Sequence, residues 1–342
     1  MIDTIKIVSM INLETYKIIK ENSIVKTSYH NGTGQIFYTI VNDKLEGTYN
    51  SSLSVRVGEG AKYKFIDMYY IEIEGSYHKI VKGYNSHNGY YNLVDIAYKL
   101  IKLVEKSYSI ILPSIKHWFL QRVDIAVCYD LETQENIETY INNLSFNSFP
   151  RRNVNHYEGE SIYLSGSTTT LKIYNKKKEF LKHDFSKFKN TNFNMVNYLN
   201  EIEGYIRFEC EIKKRKLKNF FNKDYIRIDN VIYTDLKNIW RMEFEKFFKM
   251  VESDLKIVRN KEDVKNRLEK MFKKTRARNL YNFYLLIQVE GIQTIKKETN
   301  RSMYYKNISD LKIAKVDFSQ KFTIDMEDNS VGFNPFECQE IL

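Results

Sequence analysis

Apolar and polar residues alternate in many short segments over the first two hundred or so residues, which is the pattern of half-buried β-strands. Between several of these segments apolar residues recur at helical spacing, most clearly over residues 92–108. Strands separated by crossover helices predict an α+β layer, ferredoxin-like or related. The predicted strands are residues 2–10, 35–41, 53–57, 65–74, 119–129, 160–164, 168–174 and 205–213, and the predicted helices are 92–108, 133–143 and 176–184.

Helical periodicity replaces strand alternation beyond Lys216. We place a domain boundary close to this point, which divides the chain into residues 1–220 and a mainly helical region, residues 221–342. Within the second region, Gly291 interrupts an apolar helical run, and two shorter helical stretches follow. Residues 280–313 therefore resemble a helix-turn-helix, although simple packing of these helices against the first domain is an equally good interpretation.

A tyrosine, Tyr174, stands where an alternating strand meets the lysine-rich start of a helix. Alternation places Thr170, Lys172 and Tyr174 on one face of that strand. A phenol among ammonium groups suits attack on a phosphodiester, provided that its pKa near ~10 is lowered or its proton is removed. The alternative interpretation is an ordinary strand tyrosine beside a solvated charge run, in a chain with 26 tyrosines.

Two predicted strands each carry an arginine two residues before an acidic side chain, which places both groups on one face. These pairs are Arg122 with Asp124 and Arg207 with Glu209. Carboxylate oxygens are the hard ligands that Mg²⁺ or Mn²⁺ prefers. The alternative is two ion pairs on exposed strands, each contributing less than ~1 kcal/mol to stability.

Six short segments are each degenerate, but their order and spacing along the chain form a specific pattern. They are Met1–Ile7, Ile71–Ser76 followed by a turn over Lys79–Asn85, Arg122–Asp124, Ile173–Glu179, Arg207–Glu209 and Leu280–Gly291. In this order they resemble rolling-circle replication initiators, namely the filamentous-phage gene II replication proteins and the tyrosine initiators of small Gram-positive plasmids. The resemblance implies an α+β catalytic domain with an antiparallel sheet, related to the HUH endonucleases.

The resemblance also implies the chemistry, which is nicking and joining of one DNA strand through a phosphotyrosine. Tyr174 matches the family's nucleophile segment and is therefore the expected nucleophile. Lys176 is expected to stabilise the phenolate or the scissile phosphate. Glu179 is expected to serve as a metal ligand or as a proton acceptor. Residues 1–220 would then be the nickase and strand-transferase domain.

The expected metal ion, Mg²⁺ or Mn²⁺, would be bound by Asp124 and Glu209, with Glu74 completing the site. Many rolling-circle endonucleases instead use a His-hydrophobe-His pair, called the HUH motif. The six histidines of this chain include no such pair. We therefore expect carboxylates to hold the ion, and His78 is the one histidine that we consider as a further ligand. No Cys/His cluster favours zinc.

Net charge favours a polyanionic partner, because 53 Lys and Arg against 43 Asp and Glu give a formal charge of +10. An AT-rich genome is an alternative explanation of the lysine-rich composition. Together with the resemblance, the basic segments predict a set of DNA-contacting side chains. They are Lys79, Lys82, Asn85, Arg122, Lys172, Arg207, Lys214, Arg215, Arg301 and Lys306.

Three widely spaced cysteines without a C-x-x-C pair indicate a reducing compartment. The chain opens directly into an alternating strand, and no apolar run approaches the ~20 residues that cross a bilayer. We therefore expect a protein of the bacterial cytoplasm that has no membrane contact. The sequence does not predict its oligomeric state.

The leading functional hypothesis is an origin-specific nickase that starts rolling-circle replication of a phage or plasmid. Its expected partners are origin DNA, a host helicase and the host replication machinery. A conjugative relaxase of a mobile element would use the same chemistry. A non-enzymatic alternative is a DNA-binding regulator that uses residues 280–313 and does not need Tyr174.

Overall fold

The structure is a computed structural model that describes most of the chain. The described residues are 1–34, 36–46, 52–59, 68–85, 87–144, 152–157, 159–189, 191–253, 261–316, 318, 336 and 340–341. The first residue of the predicted strand 35–41 and residues 65–67 of the predicted strand 65–74 lie outside this part of the chain.

A single sheet organises the larger part of the described chain. Its strands are β1 (Ile2–Ile11), β2 (Ile24–Tyr29), β3 (Ile36–Glu46), β4 (Ser52–Glu59), β5 (Tyr69–Gly75), β6 (Phe119–Asp130), β7 (Asn153–Tyr157), β8 (Ser161–Ser165), β9 (Thr169–Asn175) and β10 (Tyr205–Lys213). Their spatial order is β2-β3-β4-β5-β1-β6-β10-β9-β8-β7, and every neighbouring pair is antiparallel. The predicted α+β class is confirmed, and this sheet is wider than the four strands of a ferredoxin-like unit.

Helices connect these strands and make up the C-terminal region. They are α1 (Leu13–Glu21), α2 (Tyr77–Lys82), α3 (Leu93–Tyr108), α4 (Gln134–Leu144), α5 (Lys176–His183), α6 (Phe185–Phe188), α7 (Met195–Glu201), α8 (Lys214–Phe221), α9 (Tyr233–Ser253), α10 (Lys261–Met271), α11 (Lys274–Glu290), α12 (Ile292–Glu298) and α13 (Arg301–Ile313). Among the described helices, none is both long and apolar enough to cross a membrane.

One face of the sheet is apolar and forms the main core. Strand alternation places the fully buried Ile125, Phe208 and Ile173 of three neighbouring strands on this face. Helices α3, α4, α8 and α9 pack against the strands, with Leu100 of α3 and Trp240 of α9 in the same apolar cluster. The amphipathic faces that the sequence predicts are therefore the surfaces that close this core.

A second apolar cluster lies next to the helices that follow β9. Five of its aromatic residues have ring centroids that lie 4.7–6.2 Å apart. We call this set the aromatic cluster, and it comprises Tyr84, Phe180, Phe188, Phe193 and Tyr198. Because α5 also contacts β9 and β10, the aromatic cluster anchors this helix beside the end of β9.

The C-terminal helices α10 to α13 share a separate core that includes Leu268, Leu280, Tyr304 and Leu311. Helix α9, in contrast, belongs to the core of the sheet. A mainly helical C-terminal region is thus confirmed, whereas the division after residue 220 stays a prediction. Because α9 packs in the core of the sheet, we propose that the second unit begins after this helix.

The expected turn over Lys79–Asn85 is wrong in part, because its first residues belong to helix α2. Ser76 caps this helix by accepting a hydrogen bond from the Lys79 backbone N–H at 3.5 Å. Gly83 ends the helix in the left-handed conformation, with φ of 81°. Six helical residues are too few to show a clear apolar periodicity, so the sequence pattern did not reveal this helix.

Candidate active site

The face of the sheet opposite the main core carries charged side chains in neighbouring strands. In the register of β10 with β6 and β9, Glu209 lies between Ala126 and Lys172, and Arg207 lies between Cys128 and Tyr174. We call this surface the charged face. Antiparallel pairing thus brings together residues that are far apart in the chain.

Tyr174 lies at the end of β9, and only 5% of its surface is exposed. Its phenol donates a hydrogen bond to Oε2 of Glu209 at 3.1 Å and accepts one from Nδ2 of Asn85 at 3.3 Å. Burial raises the pKa of Tyr174 well above its ordinary value, and the nearby Arg207 only partly opposes this effect. In this structure the phenol is therefore protonated and held by a carboxylate.

Glu209 is the acceptor of that bond and is itself paired with two cations. Lys172 donates to its Oε1 at 2.6 Å, and Nε of Arg207 lies 3.6 Å from its Oε2. Burial alone would raise the pKa of Glu209, but Lys172 and Arg207 outweigh burial and lower it to about 2. Glu209 is consequently ionised at neutral pH.

Asp124 is the second buried carboxylate of the charged face, with 1% of its surface exposed. Arg122 donates to both of its oxygens, at 2.8 and 2.6 Å, and Nζ of Lys172 lies 3.8 Å away. Burial nevertheless raises the pKa of Asp124 to about 7, with the charge of Glu209 adding to the effect. Two buried carboxylates that share one lysine thus have pKa values displaced in opposite directions.

The alternation of charge continues across β6, β1 and β5. Arg122 also donates to Oε1 of Glu74 at 2.9 Å and lies 3.5 Å from Oε2 of Glu211. On the neighbouring strand, Lys6 lies 3.4 Å from both Glu72 and Glu74. Glu74 is therefore separated from Tyr174 by several strands, and its closest partners are cations of this chain.

The predicted metal ligands do not fit an ion in the arrangement seen here. Among the described residues, no three His, Cys, Asp or Glu side chains form a group that could hold a metal ion. Each of Asp124, Glu209 and Glu74 is instead paired with lysine or arginine. The positive charge next to these carboxylates is supplied by side chains of the protein itself.

Arg207 is fully buried and connects the charged face to the start of the chain. Its guanidinium lies 3.2 Å from Oδ1 of Asp3 in β1. Asp3 was not predicted from the sequence, since a lone acid in an apolar strand has no signal of its own. Its position in β1, at the centre of the sheet, is what places it near Arg207.

Lys176 and Glu179, both predicted to take part in catalysis, lie in the first turn of α5. Lys176 is fully buried and donates to Oε2 of Glu179 at 2.8 Å. Among the cations, it is Arg207 rather than Lys176 that most affects the pKa of Tyr174. The pair therefore fixes the start of α5, which directly follows β9.

His78 does not extend the set of ligands. It is buried in α2, and its Nε2 accepts a hydrogen bond from the Tyr90 backbone N–H at 3.1 Å. Burial lowers its pKa to about 4, so the imidazole is neutral at physiological pH. Its described interactions are with Tyr90, with the Ile2 backbone and with the charges of Asp3 and Arg207.

The predicted DNA-contacting residues occupy three kinds of position. Arg122, Lys172 and Arg207 lie within the charged face, and Asn85 is buried against Tyr174. The others lie on helices, and most of them are solvent-exposed. Lys79 (half-buried) and Lys82 are on α2, Lys214 (half-buried) and Arg215 on α8, and Arg301 and Lys306 on α13.

The sequence places this α+β chain in the class of replication-associated proteins of the phage gene II type. The family model that describes the N-terminal part of this replication-associated protein matches residues 1–237, and the chain belongs to this family. The family resemblance found in the sequence is therefore confirmed. No curated protein matches the chain. The matched segment contains β1 to β10 and the whole charged face.

Proposed function

We propose that this protein nicks and rejoins one strand of DNA at a replication origin, with Tyr174 as its nucleophile. The observation that carries the proposal is the hydrogen bond from the buried Tyr174 phenol to Glu209, between Lys172 and Arg207. A nucleophile, a proton acceptor and cations for the phosphate are the groups that phosphoryl transfer needs. They lie together in a chain of a replication-associated family.

The reaction is a transesterification that conserves the phosphodiester bond energy. Oη of Tyr174 attacks the phosphorus, a bond from Tyr174 to the 5′ phosphate forms, and the bond to the 3′ oxygen breaks. The phenolic proton passes to a carboxylate, and the departing 3′ oxygen takes up a proton. Attack by a 3′ hydroxyl on the phosphotyrosine reverses each of these steps and rejoins the strand.

Glu209 and Asp124 suit different parts of the proton transfer. Glu209 contacts the phenol directly, but a pKa of about 2 makes it a weak base. Asp124, with a pKa of about 7, matches the basicity of an efficient proton acceptor near neutral pH. In our proposal Glu209 orients Tyr174, and Asp124 is the final proton acceptor. Burial would lower the pKa of Lys172, but Glu209 and Asp124 outweigh burial and raise it, so Lys172 stays charged within 4 Å of both carboxylates.

A requirement for Mg²⁺ or Mn²⁺ stays a prediction from the family resemblance. The carboxylates are paired with Lys172 and Arg122 here, so no step of the mechanism above is assigned to a metal ion. Lys172 and Arg207 are placed to stabilise negative charge that develops on the phosphate.

Origin recognition is the proposed task of the C-terminal helices. Helices α11, α12 and α13 contact one another, and α13 exposes Arg301 and Lys306. This arrangement supports a helix-turn-helix with α13 as the recognition helix. A host helicase and the host replication machinery complete the proposed set of partners, in the bacterial cytoplasm. A conjugative relaxase would share the same chemistry.

The decisive experiment is detection of an SDS-stable protein–DNA adduct on labelled single-stranded oligonucleotides from the region of its own gene. We expect wild-type protein to form the adduct and Tyr174→Phe to form none. Tyr140→Phe is the matched control, because Tyr140 is also 5% exposed but lies in the main core. Parallel reactions with Mg²⁺, Mn²⁺ or EDTA test the predicted ion requirement.

An adduct that persists in Tyr174→Phe would keep the reaction but reject this nucleophile. Duplex binding without any adduct would instead favour the DNA-binding regulator.

A further inference from the structure

A cavity of about 360 Å³ opens beside Tyr174. Its walls come from the edge strand β7, from β8, from the end of β9 and from helix α5. Its volume lies near the lower end of the ~300–1,000 Å³ range of small-molecule pockets, a size that suits a single nucleotide. The proposed mechanism does not otherwise use this cavity.

The cavity is a lateral continuation of the charged face. In the strand register, Ser161 of β8 lies between Tyr174 of β9 and Tyr157 of β7. Tyr163 of β8 lies opposite Lys172. All of these residues except Lys172 line the cavity, so a group bound there lies next to the candidate nucleophile.

Two tyrosine rings form the aromatic part of the lining. Tyr157 is 51% exposed, and its ring lies nearly perpendicular to that of Tyr163, at 89° with centroids 6.1 Å apart. An exposed ring supported edge-on by a second ring offers a flat surface for stacking. Unpaired bases stack on such surfaces whatever their sequence, because every base has a π-face.

The polar part of the lining suits the remainder of a nucleotide. Lys182 lies 5.6 Å from the ring centre of Tyr157 and pairs with Glu160 at 3.1 Å. Lys178 pairs with Glu138 at 2.7 Å. Because acids balance these lysines, the cavity is not a plain anion site. Asn155 offers hydrogen bonds to the edge of a base.

We propose that this cavity holds the single-stranded nucleotide next to the scissile phosphate, with its base stacked on the ring of Tyr157 and with Tyr163 beside it. The proposal rests on the proposed function, since it uses Tyr174 as the point of attack. Base stacking in the cavity positions the adjoining phosphate at Tyr174, and binding energy from a non-reacting part of the substrate thereby orients the reacting atoms.

The first test compares Tyr157→Ala with Tyr98→Ala on an oligonucleotide whose nick has been mapped with wild-type protein. Tyr98 is a matched control, because it is 52% exposed and Lys102 lies 5.5 Å from its ring centre. Loss of one stacked base corresponds to about 10-fold or more in affinity. We expect Tyr157→Ala to raise KM for adduct formation by about that factor and Tyr98→Ala to leave it unchanged.

With an oligonucleotide that has an abasic nucleotide beside the nick, we expect the KM of the wild-type protein to rise by the same factor. The KM of Tyr157→Ala should not rise further. Equal KM values for the two alanine variants, or fully additive effects of the abasic site, would overturn the proposal while leaving the nickase intact.

The second test does not depend on nicking. Tyr174→Phe protein is irradiated with a single-stranded 12-mer of thymidine and 5-iododeoxyuridine, and crosslinked residues are identified by mass spectrometry. We expect crosslinks at Tyr157 or Tyr163. Crosslinks confined to other residues, or none at all, would reject the cavity as a base site. If neither the wild-type protein nor any variant forms an adduct, the proposed function is rejected. The crosslinks would still show whether the cavity binds a base.

Discussion

At the scale of single residues, the candidate site is a set of buried charges that neutralise one another. Lys172 lies within 4 Å of Asp124 and Glu209, and Arg207 lies near both Glu209 and Asp3. Removing one member of a buried pair leaves its partner without compensation, which costs more than the pair contributes. The effect of a substitution here on stability must therefore be measured separately from its effect on activity.

Glu209→Gln tests whether the acceptor of the Tyr174 phenol has a role in the reaction. The change removes the negative charge between Lys172 and Arg207, so we expect a loss of about 3 kcal/mol of unfolding free energy. We also expect adduct formation to fall about 10²- to 10⁴-fold, because a neutral amide replaces the charged carboxylate that orients the Tyr174 phenol. The measurements are urea unfolding and single-turnover adduct kinetics.

Glu243→Gln is the matched control for that substitution. Glu243 is also a buried carboxylate, with partners Arg152 and Lys216 at 2.9 and 2.8 Å, outside the charged face. Burial would raise its pKa, but Lys216 and Thr169 outweigh burial and lower it to about 2. We expect a similar loss of stability and normal adduct formation. Similar adduct kinetics in the two variants would show that Glu209 is only structural.

Asp124→Asn tests the pKa of about 7 through the pH dependence of stability. Because burial raises this pKa, the folded protein keeps a proton between about pH 4 and pH 7 that the unfolded chain has released. The stabilisation of the folded protein by this proton is therefore complete below about pH 4, and it is lost as the pH rises to about 7. Relative to Asp124→Asn, we expect the wild type to lose about 2 kcal/mol between pH 5 and pH 7.

The measurement is urea unfolding of both proteins across this pH range. Parallel stability curves would mean that Asp124 has the same pKa in the folded and unfolded chain, and that it is not the proton acceptor proposed above.

At the scale of elements, the sequence pattern identified most strands and helices that contribute to the core. Residues 205–213 are a strand with the predicted bounds, and the helix predicted over residues 92–108 is α3. The edge strand β7 was missed, since Asn153–Tyr157 is polar and mostly exposed and therefore lacks a buried alternating face. Short or edge elements form through contacts that local patterns do not contain.

A substitution on helix α13 tests whether origin recognition is separate from catalysis. Asn300 caps this helix by accepting a hydrogen bond from the Ser302 backbone N–H at 3.0 Å, and Arg301 is exposed in its first turn. If Arg301 contacts a phosphate, Arg301→Ala weakens duplex binding and reduces the salt dependence by about one ion. We expect adduct formation on single-stranded DNA to be unchanged.

Fluorescence anisotropy with duplex origin DNA at several salt concentrations measures this effect. Lys270→Ala, a substitution of an exposed residue on α10, is the control. We expect its affinity to depend on salt concentration with the same slope as the wild-type affinity. Identical slopes for both variants would argue against α13 as the DNA-contacting helix.

At the scale of the whole molecule, two separate cores suggest two tasks. Leu100 lies in the core of the sheet and Leu280 in the core of the C-terminal helices, and both are fully buried. Truncating either leucine to alanine removes about 2–5 kcal/mol of stability from its own core. We expect Leu280→Ala to weaken duplex binding while single-stranded adduct formation persists at a temperature that inactivates Leu100→Ala.

Thermal unfolding monitored together with both activities tests this separation. Equal loss of both activities in both variants would mean that the two cores unfold as one cooperative unit.

The sequence by itself determined the α+β class, the position of Tyr174 at a strand end and the pairing of arginine with acid on two strands. These features depend on local alternation and on residue types that neighbouring positions specify. Net charge and the family resemblance came from the same source. None of these features required knowledge of which strands are neighbours.

Only the tertiary structure decided which of these groups meet. The placement of β10 between β6 and β9 brings Glu209 to Lys172 and Tyr174, and the loop after α2 brings Asn85 to the phenol. Strand order and register depend on contacts between distant segments, since a slip of one residue would turn every side chain to the other face. Burial follows from the same contacts, and it sets the pKa values that local sequence leaves open.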